Sequence, residues 1–93
     1  MARLSDAEID ERLARGSQWR REGDSIVRDL ECSSFNTAMA LANAVAEAAD
    51  RANHHPDILV HGYKHVRLTL STHSAGGITE NDFALAGMID GLI

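Results

Sequence analysis

Apolar residues recur with a helical period in three segments of the chain and alternate with polar residues in four, which predicts three helices and four strands. Start signals mark the first and last helices, because Ser5 and Thr79 are each followed three residues later by an acidic residue. Pro56 cannot continue a helix, so the middle helix is expected to end near Asn53. In chain order the predicted elements are a helix of about ten residues after Ser5, strands at 19–22 and 25–32, a helix at 34–52, strands at 58–61 and 64–72, and a helix from Thr79 to the C-terminus.

This order, α-β-β-α-β-β-α, predicts an α+β fold in which a four-stranded antiparallel sheet carries the three helices on one face. The strand at 64–72 is the clearest, because Val66, Leu68 and Leu70 alternate with polar residues and so give it one buried and one polar face. A single domain over residues 1–93 is expected, since a chain of 93 residues has room for one hydrophobic core.

The helix at 34–52 is more apolar than packing against one sheet face requires, with 12 apolar residues among its 19. Part of it could therefore pack against a second copy of the chain in a homodimer or homotetramer. An alanine-rich helix that simply permits close packing within one subunit explains the same pattern equally well.

Charge and cysteine content exclude several classes of protein. With 9 Lys+Arg against 14 Asp+Glu, the net charge is −5, so neither nucleic acid nor an anionic membrane surface is expected as a direct partner. The longest apolar run, 38–42, has five residues, far fewer than the ~20 that span a bilayer. Cys32 is the only cysteine and the N-terminus turns acidic where a signal peptide would be apolar, so a cytoplasmic protein is expected.

Histidine is the unusual residue of this chain. All five histidines lie within 54–73, and an unperturbed pKa of about 6.5 lets imidazole exchange protons near neutrality. His61 and His65 are expected at the surface, because neither has a polar partner at diagnostic spacing. His54 and His55 stand where the long helix breaks, and His73 follows a strand and precedes a Gly-Gly loop. These three are the candidates for chemistry.

A larger set of residues surrounds the candidate histidines in a recognisable order: Asn53-His54-His55-Pro56, Tyr63, Val66, Leu68, Leu70, Thr72-His73, Gly76-Gly77, Thr79, Asp82, Ala86 and Asp90. Together they resemble the pterin-4a-carbinolamine dehydratases, and a weaker likeness extends upstream to Trp19. The resemblance implies elimination of water from a 4a-hydroxytetrahydropterin, giving the quinonoid dihydropterin in tetrahydrobiopterin recycling. That reaction requires no metal and no redox cofactor.

The resemblance also implies a role for each histidine. His54 and His73 form the acid-base pair, in which one group protonates the departing hydroxyl and the other takes a proton from a ring nitrogen. His55 completes the catalytic set by binding or orienting the pterin. The implied substrate-binding residues are His55, Asp50, Pro56, Thr72 and Asp82.

This chain departs from the family pattern at two places. Asp50 stands where the family has a longer glutamate, although its position four residues before His54 would let it orient that ring. One extra residue lies between Pro56 and Tyr63, which predicts a bulge or a longer turn.

Asp82 has two equally weighted interpretations, a site carboxylate or a helix cap for Thr79.

Three alternatives compete with a dehydratase. Three imidazoles could hold a catalytic zinc ion, but adjacent histidines at a helix break rarely converge on one ion, so no metal site is expected. The same fold could serve as a non-catalytic dimerisation or binding module. A dehydratase-like protein could also act on another pterin.

Overall fold

A computed structural model describes residues 2–93 and contains the predicted three helices and four strands in the predicted order. The elements are α1 (Asp6–Leu13), β1 (Arg20–Glu22), β2 (Ser25–Glu31), α2 (Phe35–Ala52), β3 (Asp57–His61), β4 (His65–Leu70) and α3 (Glu80–Asp90), with a 3₁₀ turn at His73–Ala75 between β4 and α3. The α+β fold is thereby confirmed.

The four strands form one antiparallel sheet in the order β1-β2-β4-β3. Ile26 lies opposite Leu70 and Ile58 lies opposite Leu68, so these apolar side chains share one face of the sheet. The buried core cluster joins that face to residues of all three helices, among them Ile9 of α1, Val45 of α2 and Ile89 of α3. The helices therefore cover the same face, as predicted.

The opposite face of the sheet is charged. Asp29 of β2 accepts hydrogen bonds from Arg20 and Arg67 on the neighbouring strands, each at 2.7 Å. The hydrogen bond from Arg67, more than any other contact, lowers the pKa of Asp29, and Arg20 adds to the effect. These cross-strand ion pairs give the uncovered face its polar character.

The helix ends follow the local sequence signals. Both predicted capping boxes form, at Ser5 in α1 and at Thr79 in α3. Asn53 caps the C-terminus of α2 in the left-handed conformation (φ 50°), which asparagine adopts more readily than most other residues do.

The end of β4 differs from the prediction. The strand stops at Leu70 rather than at Thr72, because Thr72 pairs with Gly77 in an isolated bridge that closes a short loop. Within that loop His73–Ala75 forms the 3₁₀ turn, and Gly76 ends it with a φ of 72°. His73 therefore stands on a turn whose two ends are hydrogen-bonded to each other.

The extra residue between Pro56 and Tyr63 lies in the turn between β3 and β4. The pairing of the two strands runs without interruption from Asp57 opposite Thr69 to His61 opposite His65, so there is no bulge in this described hairpin. Gly62 and Tyr63 both have positive φ values of 54°. Of the two sequence alternatives, the structure contains the longer turn.

Only part of the apolar surface of α2 lies in the core. Ala38, Val45, Ala48 and Ala49 are buried against the sheet and α3. Phe35 and Met39, which the helical period places on the same stripe, are 52% and 40% exposed. The stripe is wider than this single chain covers, and packing against a second copy stays a prediction.

Candidate active site

The candidate site lies where the end of α2, the start of β3, the end of β4 and the start of α3 meet. The left-handed residue Asn53 reverses the chain, and the amide of His54 donates to the carbonyl of Ala49 at 3.1 Å. The two following side chains therefore diverge: the side chain of His54 is 13% exposed and that of His55 is 63% exposed.

The inward histidine, His54, meets a buried carboxylate. Its Nε2 lies 2.5 Å from Oδ1 of Asp82, whose side chain has 0% exposure. The other carboxylate oxygen, Oδ2, accepts from the Thr72 hydroxyl at 2.9 Å and from the Thr79 amide at 2.8 Å. A buried polar side chain is tolerated when it is hydrogen-bonded, and these three contacts provide partners for both carboxylate oxygens.

Asp82 combines the two roles between which the sequence could not choose. Its contact with the Thr79 amide completes the capping box at the start of α3. Its contact with His54 makes it part of the candidate site. Since the carboxylate is enclosed by protein groups, it touches the histidine rather than open solvent.

Asp50 does not orient His54, which corrects the expectation from their four-residue spacing. Its Oδ1 lies 3.0 Å from Nε2 of His55, and both side chains are exposed. The physical reason is the left-handed conformation of Asn53, which interrupts the helical period and turns His54 toward α3. The half-buried Pro56 follows directly and leads the chain into β3.

His73 is exposed on its 3₁₀ turn, immediately after the buried residue Thr72. The amide of Thr72 donates to Gly77 at 2.9 Å, and the amide of Gly77 donates back at 3.3 Å. Because the Thr72 hydroxyl also contacts Asp82, the residue beside His73 is tied to the carboxylate that holds His54. The structure thus joins His54, Asp82 and Thr72 directly and pairs Asp50 with His55. His73 follows Thr72 in the chain and is linked to this group through that residue.

The hydroxyl of Thr79 is a member of the site that the sequence did not reveal. It lies 2.9 Å from the Thr72 hydroxyl, and Thr79 is completely buried. The sequence signal at this position, a helix-start pattern, predicts only the cap. The same start pattern occurs at Ser5, so nothing local distinguishes a cap that also serves a site.

His61 and His65 lie at the far end of the β3–β4 hairpin from the site. They face each other across the two strands with their rings stacked at a centroid distance of 5.4 Å. His61 is exposed and His65 is half-buried. Because both lie at the turn end of the hairpin, they are separate from the group around Asp82.

Within residues 2–93 the structure contains no group of three or more His, Cys, Asp or Glu side chains arranged to hold a metal ion. Over the same described range, no helix is both long enough and apolar enough to cross a membrane.

Comparison with known proteins defines the class to which this fold and site belong. The family described as Pterin 4 alpha carbinolamine dehydratase matches residues 2–92. A provisionally named pterin-4-alpha-carbinolamine dehydratase of Chloroflexus aurantiacus is 51% identical over 90 residues, which is 97% of this chain and 96% of that protein. Its counterpart from Thermomicrobium roseum, also provisionally named, is 52% identical over 86 residues, covering 92% of this chain and 91% of its own length.

Solved structures agree with this assignment. A protein of Brucella melitensis described as a transcriptional coactivator/pterin dehydratase superimposes with a TM-score of 0.88 at 30% identity, covering 97% of each chain. A pterin dehydratase-like protein identified as a RuBisCO assembly factor in the alpha-carboxysome has a TM-score of 0.67 at 25% identity, covering 83% of this chain and 90% of that one. The chain belongs to the pterin-4-alpha-carbinolamine dehydratase family.

Proposed function

We propose that this protein is a hydro-lyase that removes water from 4a-hydroxytetrahydrobiopterin to give the quinonoid dihydropterin. The observation that carries the proposal is the arrangement around Asp82 in a chain of this family: one histidine is held by a buried carboxylate, and a second stands beside a residue bound to the same carboxylate. Two imidazoles placed in this way suit a reaction that needs one proton donor and one proton acceptor.

His54 and His73 are the proposed acid-base pair. In the elimination the bond between C4a and the hydroxyl oxygen breaks while one imidazolium protonates that oxygen, so water leaves. The other imidazole takes the proton from the ring nitrogen, whose electron pair forms the new C=N double bond. The two histidines end the step with exchanged protonation states and return to the starting states by proton exchange with solvent.

His55 and Asp50 are proposed to bind and orient the pterin. A pterin presents N–H donors along its pyrimidine edge, and a carboxylate is a strong acceptor for such donors. Asp50 and His55 lie 3.0 Å apart on exposed surface beside the inward histidine, where they are accessible to a ligand. Pro56 restricts the backbone that follows His55. Thr72 contributes to the site indirectly, because its hydroxyl donates to Asp82.

A non-catalytic binding module is the second candidate, and one observation favours it. Phe35 and Met39 expose an apolar stripe on α2, which could receive a second copy of the chain or another protein. We propose self-association in a homodimer or homotetramer through this stripe, which is compatible with either function.

Three further statements belong to the proposal. The protein is cytoplasmic, its substrate is the tetrahydrobiopterin form, and its reaction needs no metal ion.

The test is a dehydration assay in which a pterin-dependent hydroxylase generates the carbinolamine transiently. The proposal predicts a rate well above the spontaneous background, and the same rate after treatment of the protein with a chelator. A rate equal to the background would favour the binding module, whereas loss of activity on chelation and recovery with zinc would favour a metal enzyme. Substrates with different pterin side chains identify the preferred pterin.

A further inference from the structure

We propose that Asp82 is a positioning residue that fixes the proton of neutral His54 on Nε2, so that Nδ1 is the nitrogen that exchanges a proton with the substrate. The catalytic part of this inference rests on the proposed function. The position of the proton on His54 is a property of the protein alone and can be measured without substrate.

The first step of the argument is the direction of the hydrogen bonds to Asp82. The backbone amide of Thr79 can only donate, and an ionised carboxylate can only accept. Oδ2 receives this amide and the Thr72 hydroxyl, and Oδ1 faces Nε2 of His54. With Asp82 ionised and His54 neutral, Nε2 carries the proton in this contact and Nδ1 keeps its lone pair.

The second step concerns the two threonine hydroxyls. Thr72 has one hydroxyl hydrogen, which it donates to Asp82, so the 2.9 Å contact between the hydroxyls requires Thr79 to donate to Thr72. The hydroxyl oxygen of Thr79 in turn accepts from the amide of Asn81 at 3.2 Å. Every hydrogen in this buried chain therefore has one assigned direction, and all of them converge on the carboxylate.

The third step is the consequence for both histidines. Oδ1 of Asp82 sets the tautomer and the ring orientation of His54. Oδ2 of the same carboxylate holds Thr72, which directly precedes His73. A single carboxylate therefore positions one histidine by direct contact and the adjoining segment of the other, although 28 residues separate Asp82 from His54. We expect Asp82 to act through these groups rather than on the pterin itself, since its side chain has no exposed surface.

Asp82→Asn tests this inference because it should reverse the tautomer. The Thr79 amide and the Thr72 hydroxyl still need an acceptor, so the amide oxygen of the asparagine takes the place of Oδ2. The amide nitrogen then faces His54 and donates to Nε2, which forces the proton of the ring onto Nδ1. In the serine-protease triad, the corresponding change of an orienting aspartate lowers kcat about 10⁴-fold through the wrong tautomer.

The experiment is ¹⁵N NMR of the histidine side chains of the full chain, recorded without substrate at a pH where the imidazoles are neutral. A His54→Gln variant assigns the His54 signals. We expect a protonated Nε2 and an unprotonated Nδ1 in the wild type, and the reverse in Asp82→Asn. Ser34→Ala, which removes the cap at the end of α2 opposite His54, is the matched control and should retain the wild-type tautomer.

A wild-type His54 protonated on Nδ1 would overturn the inference. This measurement uses the wild-type protein, so it does not depend on the folding of a variant. A folded Asp82→Asn protein with an unchanged tautomer would overturn it as well. In the dehydration assay, Asp82→Asn should lower kcat by at least about 10²-fold with a smaller effect on KM. If the predicted tautomer is found in a wild-type protein without dehydratase activity, the positioning of His54 stands and the proposed function fails.

Discussion

Removal of the buried carboxylate should destabilise the protein to an extent that can be worked out from its contacts. In Asp82→Ala, three donors lose their acceptor: His54 Nε2, the Thr72 hydroxyl and the Thr79 amide. His54 is partly exposed and can reach water, and the Thr72 hydroxyl can rotate toward the Thr79 oxygen at 2.9 Å. The Thr79 amide is buried and has no such substitute.

An unsatisfied buried donor costs about 1–3 kcal/mol, and the weaker replacement bonds of the other two groups add about 1 kcal/mol. The expected loss is therefore about 2–4 kcal/mol, a large fraction of the 5–15 kcal/mol that is typical of a small domain. For a chain of this length the melting temperature should fall by roughly 10–30 °C.

Urea denaturation and thermal melting followed by circular dichroism measure this loss. Glu8→Ala is the matched control, because Glu8 occupies the same capping-box position in α1 but is exposed to solvent. It should cost only a small part of the Asp82→Ala effect. If the two variants were equally stable, the three donors would have found other partners, and the account of a carboxylate required by its surroundings would be refuted.

Three further predictions concern other parts of the molecule. His55→Ala should raise KM about 10-fold, through the loss of one charge-assisted hydrogen bond, with little change in kcat; a fall in kcat alone would contradict its binding role. Met39→Glu should reduce the mass found by light scattering to that of the 10.1 kDa chain, and a wild-type mass already at this value would end the self-association proposal. Because the pKa of Asp29 is lowered in the folded protein, its stabilising effect is present above its unfolded pKa of about 3.9 and is lost as the pH falls through the folded value. The stability difference between wild type and Asp29→Asn should be less than about 1 kcal/mol, because these ion pairs are half-exposed. It should shrink between pH 5 and pH 2, and a difference that grows with acid would be inconsistent with the lowered pKa.

Local signals were sufficient for most of the fold. Ser5 and Thr79 begin helices because a hydroxyl side chain satisfies free amides there, and this chemistry depends on only four consecutive residues. The alternation of Val66, Leu68 and Leu70 likewise records directly which face of β4 is buried. In both cases the residues that determine the structure are neighbours in the sequence.

The contacts of the candidate site could not be predicted in this way. A helical period brings Asp50 toward His54, but the left-handed residue Asn53 interrupts that period and exchanges the partners. The contact between His54 and Asp82 depends on how α2 and α3 pack on the sheet, which no spacing within either segment encodes. The resemblance to a family supplied the histidines as candidates, and their roles stay predictions. It did not supply the hydrogen bonds that hold them.

The exposed part of α2 shows a related limit. Phe35, Met39 and the buried residues of α2 follow the period of one continuous apolar stripe, yet the four-stranded sheet and α3 cover only one side of it. Periodicity identifies apolar positions but not what covers them. The remaining surface is the reason that the oligomeric state requires a measurement.

The central claim, that His54 and His73 carry the proton transfers, is tested most directly by the kcat of two single variants in the dehydration assay. His54→Ala and His73→Ala should each lower kcat by about 10²–10⁴-fold with a smaller effect on KM, because each removes one proton-transfer group. His61→Ala, at the far end of the hairpin, should retain the wild-type kcat and serves as the control. A folded His73→Ala protein with the same kcat as His61→Ala would contradict the acid-base assignment and leave only the shared fold.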